Sequence, residues 1–191
     1  MAYKHRVELP GYYHVTARGN NKRRIFLDDH DRHLFILLLN RVATRYGWTI
    51  FAFCLMGNHY HLVMRIDERG MSKGMCELNG TYALLFNAKY ERVNHLFGKR
   101  YWSDEIESDD RFLGACRYVV RNPVRAGLVH SPDAYVWSSY QATVGIALGR
   151  VRVAVDELLS RFGRNRAAAI AGFRQLCDGP DEAGHVQWQP P

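Results

Sequence analysis

The order in which the hydrophobic period switches between two and about 3.6 constrains this chain more than any other feature. Residues 11–17, GYYHVTA, alternate aromatic or β-branched side chains with smaller ones, the pattern of a strand. RGNNKRR at 18–24 carries the turn signals Gly19, Asn20 and Asn21. Asp28, Asp29 and Asp31 then place negative charge where a helix begins. Leu34, Leu37, Leu38, Arg41, Val42 and Arg45 follow at helical spacing up to Gly47, which predicts a helix over 31–46. WTIFAFCLM at 48–56 is a short, aromatic-rich apolar run, Gly57-Asn58 is a turn dipeptide, and HYHLVMRI at 59–66 resumes a strand pattern. Two strands joined this way predict a hairpin. A second helix is predicted over 75–91, with Leu78, Tyr82, Leu85 and Phe86 on one face. GKRYWSD at 98–104 follows as a basic edge strand or loop, then a third helix over 109–121.

The succession β-α-β-β-α-β plus a helix is the split βαβ, ferredoxin-like (RRM-like) arrangement of the α+β class. It predicts an antiparallel sheet with two helices on one face and the other face left for a ligand or a further helix. After WSSY at 137–140 the pattern changes to two short helices, 156–162 and 166–178. The expected organisation is therefore a domain over 1–145 and a C-terminal helical extension over 146–191, whose end, DGPDEAGHVQWQPP, is expected to be loose. With 191 residues, 47% of them hydrophobic and 24% charged, the chain suits one well-buried core and not wholesale disorder. No apolar run approaches the ~20 residues of a membrane span, and MAYKHRVELPG holds no hydrophobic leader, so no membrane role and a cytoplasmic location are expected. Four scattered cysteines form no CxxC pair, which argues against a zinc ribbon or redox motif.

His59-Tyr60-His61 is the most informative tripeptide. On a strand the two imidazoles project from one face while Tyr60 enters the other, so the pair can share a divalent ion. Two hydrogen-bonded structural histidines would have the same spacing. His14 lies in the first strand and borders this region without a spacing that assigns it a role. His30 and His33 sit among Asp residues and read as surface groups. In YVVRNPVRAGLV at 118–129, Asn122 follows Tyr118 by four residues, so a continuous helix would put phenol and amide on one face. Pro123 disfavours helical geometry at Asn122 and predicts that the helix ends or kinks there. By itself Tyr118 reads more readily as a core aromatic with its hydroxyl near the surface.

These segments occur in a fixed order: GYYHVTARGNNKRRIF, FCLMGNHYHLVM, YWSDEIES, YVVRNPVRAGLV and WSSY. Together they closely resemble the REP-associated tyrosine transposases, relatives of the insertion-sequence single-tyrosine transposases within the HUH nuclease superfamily. The resemblance spans residues 11–140, and DELLSRFG with AAIAGFRQL is similar to the tail of many members. It implies that His59 and His61 bind Mg²⁺ or Mn²⁺, that Tyr118 is the nucleophile, and that Asn122 completes the metal site from the tyrosine helix. It also implies single-stranded DNA carrying a REP-type hairpin as substrate, a 5′-phosphotyrosine intermediate, no small-molecule cofactor, and action as a monomer, although insertion-sequence relatives are dimers. Arg121 before the NP dipeptide, and YVV where members often have YI, depart from the pattern without touching the chemistry.

A formal charge of +7, from 26 Lys and Arg against 19 Asp and Glu, favours a polyanionic partner. Candidate DNA contacts are Arg18, Asn20, Lys22, Arg23, Arg24, Lys99, Arg100, Arg121 and Arg125, with solvated surface as the plain alternative for each. Trp102, Tyr101, Trp137 and Tyr140 are candidates to stack bases, Trp137 being the one that more readily belongs to a core. Two other classes compete with the nuclease: a non-catalytic RRM-like binding module, and a phosphodiesterase that uses activated water.

Overall fold

A computed structural model describes residues 8–179. Its strands are β1 (Gly11–Arg18), β2 (Thr49–Leu55), β3 (His59–Ile66) and β4 (Trp102–Ile106). The α-helices are α1 (Asp29–Tyr46), α2 (Ser72–Lys89), α3 (Asp109–Arg125), α4 (Tyr140–Thr143), α5 (Val155–Leu159) and α6 (Arg166–Asp178). The sheet is antiparallel in the order β2-β3-β1-β4. This is the expected ferredoxin-like α+β fold. The loose tail expected from residue 180 onward lies outside the described residues.

Local chemistry explains the helix ends. Asp28 accepts from the Asp31 backbone N–H while the Asp31 carboxylate accepts from that of Asp28, so the acidic cluster is a capping box. The buried Asp31 also receives Lys89 and Tyr90, which tie the start of α1 to the end of α2. Gly47 closes α1 at φ 64°, a left-handed conformation that glycine adopts without steric cost.

The alternation of each strand divides the interior into two cores. Tyr13, Val15, Ala17, Tyr60, Leu62 and Met64 face α1 and α2, where Phe35, Leu38, Leu39, Leu78, Tyr82 and Phe86 meet them. Leu37 and Leu85, expected on the buried helix faces, are 67% and 40% exposed. Phe35 and Leu39 take the place of Leu37, so the apolar stripe of α1 is rotated from the one its leucines suggest. On the opposite face Phe51, Ala52, Cys54 and Val63 pack against Phe112, Cys116, Val119 and Val120 of α3. A register shift between Ile50 and Ala52 lets the adjacent Phe51 and Ala52 both enter this second core.

Leu158, Leu159, Ala169, Phe173 and Cys177 belong to the same second core, so residues on both sides of position 145 share it. The C-terminal helices thus cover sheet and α3. The outer edge of β2 is closed by bridges to Ser138 and Val153. Trp137 and Tyr140 are 8% and 3% exposed, and the Tyr101 hydroxyl is engaged by Glu8 and Ser72. These three aromatics serve the fold, which leaves Trp102 as the base-stacking candidate of the four.

The structure also corrects the end of α3. The helix continues through Pro123 to Arg125 instead of stopping near 121. Proline removes one helical N–H, but the turn is held by Ala126 donating to Asn122 and Leu128 to Pro123. Gly127 then ends it at φ 67°. Tyr118 and Asn122 consequently keep the shared face that their spacing predicts.

Candidate active site

The site lies where the central strands meet α3. Register places Arg18 opposite His59, Thr16 opposite His61 and His14 opposite Val63, so the even positions of β1 and the odd positions of β3 share the α3 face. The end of the hairpin is stitched to the 19–26 segment. Gly19 N–H donates to the Asn58 carbonyl, and the Asn58 side-chain amide donates to the Lys22 carbonyl at 2.9 Å. Gly19 also lets the 19–26 segment turn back on itself, since a Cβ there would come within 2.1 Å of the Arg23 carbonyl oxygen.

His61 is fully buried and His14 is 6% exposed. Their rings stack with His14 Nε2 3.0 Å from His61 Nδ1. On the other side of the His61 ring, Nε2 lies 3.3 Å from the Asn122 amide nitrogen. His59 stands edge-on to His61 at 4.9 Å between centroids, with its Nδ1 2.6 Å from Asn58 Oδ1. The Tyr118 ring lies 5.6 Å from His61 and 5.7 Å from His14. The Arg125 guanidinium sits over the Tyr118 ring at 4.9 Å. His59, His61, Tyr118 and Asn122, picked from the sequence, therefore come together in one place.

Electrostatics follow from burial. Desolvation lowers His14 to about pKa 4, and desolvation with the nearby Arg18 cation lowers His59 to about 4, while a hydrogen bond with Asn122 raises it. His61 lies well below the ordinary range, through desolvation first and then the electrostatic influence of His14, His59 and Arg18 on any charge it would carry. All three rings are neutral at pH 7, the form that can bind a cation. Burial raises the Tyr118 phenol, and Arg125 and the Asn122 hydrogen bond pull it back down. Asp104, paired opposite His14 across β1 and β4, is engaged by Arg111.

These shifts carry a consequence for stability. A histidine whose pKa is lower in the fold than in the unfolded chain contributes fully above about 6.5, and that contribution is lost as pH falls towards 4. The size is on the order of 3 kcal/mol for His14, from its fall to about 4. The metal-free protein should therefore melt at progressively lower temperature between pH 6.5 and 4. A thermal midpoint that stays level from pH 7 to 5 would contradict neutral burial of these rings.

Arg18, Asn20, Lys22, Lys99, Arg100 and Trp102 line one cavity of about 280 Å³ at the edge of this site. Trp102 joins the two, its ring edge-on to His14 at 5.7 Å. The Arg18 Nε is buried without a hydrogen-bond partner. Arg23 and Arg24 are exposed on the adjoining loop. Arg121 departs from its expected role: its guanidinium donates to the carbonyls of Cys177 at 2.5 Å and Gly179 at 2.6 Å, beside Arg117, at the end of α6. A cation at a helix C-terminus satisfies carbonyls that the helix leaves unpaired, so Arg121 holds α6 onto α3 and does not line the cavity. His14 and Asn58 are site neighbours that spacing did not assign, since strand register alone brings them to the two histidines.

Among the described residues no three His, Cys, Asp or Glu side chains are grouped to hold a metal, so a cation here would have two imidazoles and the Asn122 amide as its protein donors. Two neutral imidazoles, with the Asn122 side-chain amide beside one of them, fit a divalent ion with mixed N/O preference. Lacking a carboxylate, the set leaves coordination positions and charge to be completed by an anionic ligand.

Among the described residues no helix is long and apolar enough to cross a membrane. The family model described as "Transposase IS200 like" matches residues 10–122. No curated protein matches the chain. Among solved structures, a REP-associated tyrosine transposase bound to a REP hairpin is similar at TM-score 0.62 and 18% identity, over 76% of this chain and 86% of that one. A putative transposase from Deinococcus radiodurans R1 aligns at TM-score 0.44 and 16% identity, over 58% and 90% of the two chains.

Proposed function

Because this chain belongs to the IS200-like transposase family, a family of enzymes that cut and rejoin DNA, we propose that it cleaves single-stranded DNA beside REP-type hairpins with Tyr118 as nucleophile. The observation that carries this reading is the convergence of Tyr118, His59, His61 and Asn122 on one point of the α3-facing sheet. A likeness in fold to a hairpin-bound transposase supports the choice of substrate.

His59, His61 and Asn122 are the residues that would hold Mg²⁺ or Mn²⁺. When bound, such an ion supplies Lewis-acid charge relief for the scissile phosphate. The remaining work belongs to side chains. The Tyr118 oxygen forms a bond to phosphorus as the bond to the 3′ oxygen breaks. The phenol proton is released and the leaving oxygen ends as a 3′-OH. The product is a 5′-phosphotyrosine, one phosphodiester exchanged for another, so a second 3′-OH can reverse the step without a nucleotide cofactor. Arg125 and Asn122 favour the phenolate against the burial that opposes it. Arg18 offers an unpartnered Nε to a phosphate oxygen. The basic cavity beside Trp102 suits a strand with unstacked bases.

All four central groups come from one chain, so one copy suffices and a monomer working on cytoplasmic DNA is the expected form. An RRM-like binder would need an open sheet face. Here α3 and the C-terminal helices pack on the face opposite α1 and α2. The decisive experiment incubates the protein and Mn²⁺ with end-labelled single-stranded oligonucleotides from the flanks of its own gene. A denaturant-resistant protein–DNA adduct carrying the 5′ phosphate is expected. Cleavage without any adduct would favour activated water and defeat the tyrosine mechanism.

A further inference from the structure

We propose that His14 and Asn58 are positioning residues that lock His61 and His59 as Nδ1–H tautomers, so that both rings turn a lone-pair Nε2 to the site. The inference rests on the reading of His59 and His61 as ion ligands and adds the two groups that make them fit for it.

The hydrogen-bond chemistry is directional. The Asn58 Nδ2 donates to the Lys22 carbonyl, which can only accept, and this fixes the amide so that Oδ1 faces His59 Nδ1 at 2.6 Å. A carbonyl oxygen cannot donate, so His59 Nδ1 carries the hydrogen and Nε2 the lone pair. The two buried rings of His14 and His61, with nitrogens 3.0 Å apart, share a single hydrogen. The Asn122 amide nitrogen lies 3.3 Å from His61 Nε2 as a donor, which makes Nε2 the acceptor. The hydrogen therefore sits on His61 Nδ1 and points to His14 Nε2. In the opposite tautomer His61 would present an N–H to the site and could not ligate. A partner on the far nitrogen also raises the basicity of a ligating ring, and losing it costs about 10–100-fold in metal affinity.

Selectively ¹⁵N-labelled histidine in the wild-type protein gives the direct test by NMR. His59, His61 and His14 should each show a protonated Nδ1 and an unprotonated Nε2. A protonated Nε2 on His61 overturns the proposal without any variant. Mn²⁺ binding, followed by EPR on the full chain in the presence of an uncut hairpin oligonucleotide, gives the second test. His14→Phe should weaken Mn²⁺ about 10–100-fold, whereas His14→Gln, which keeps an acceptor near the place of Nε2, should stay within about threefold of wild type. Oligonucleotide binding in EDTA should be unchanged in both. Equal Mn²⁺ affinity in His14→Phe and wild type would overturn this inference alone. A wild type that binds no Mn²⁺ would instead bring down the ion reading, and this inference with it.

Discussion

Replacing Tyr118 with phenylalanine is expected to remove nicking and adduct formation altogether, by at least about 10⁴-fold, as losing a nucleophile does in other covalent enzymes. Phenylalanine keeps the ring that packs 5.6 Å from His61 and under Arg125, so fold and hairpin binding should survive. Only the attacking oxygen is lost. Single-turnover nicking of a labelled hairpin strand, with a binding titration alongside, separates the two effects. Full nicking by the variant would mean that some other group, or water, attacks.

The second large effect is expected from the histidine pair. Truncating His59 to alanine should slow nicking by about 10²–10³-fold, the scale seen when one preorganised electrostatic contact to a transition state is removed. His59 is the better choice of the two because it stands half-buried at the end of β3, whereas His61 is fully buried and its loss would leave a cavity beside His14. Chelation by EDTA should produce a similar or larger loss in the wild type, reversed by added Mn²⁺, with hairpin binding kept. Undiminished nicking in EDTA would show that the imidazoles do not act through a cation.

Much of this arrangement was legible beforehand, because periods of two and 3.6 report which face of an element is apolar. Residues 59–66 and 109–121 were recognisable in this way, and the parity of His59 and His61 followed from β geometry alone. The i, i+4 relation of Tyr118 and Asn122 was legible too, although Pro123 argued for an earlier end to the helix. Proline removes one backbone N–H bond from the last turn, and packing of α3 on the sheet outweighs that loss. Charge gave a weaker guide. Arg121 and Arg18 are alike in sequence, yet one caps the carbonyls of α6 and the other stands beside His59. A basic side chain reaches whichever acceptor the tertiary fold brings within its length, and the sequence holds no record of that acceptor.

Element order, the α+β class, the shared face of the two site histidines and the pairing of phenol with amide all follow from the residues read in order. Each of these rests on the periodicity of single elements and on the order in which they follow one another. It took the folded chain to pair β1 with β3 in a register that stacks His14 on His61, 47 positions apart, and to set the Lys22 carbonyl where it orients Asn58. The same folding brings the C-terminal helices in to complete the second core. Such contacts depend on which surfaces meet after folding, and a one-residue slip in register would have turned His14 to the opposite face.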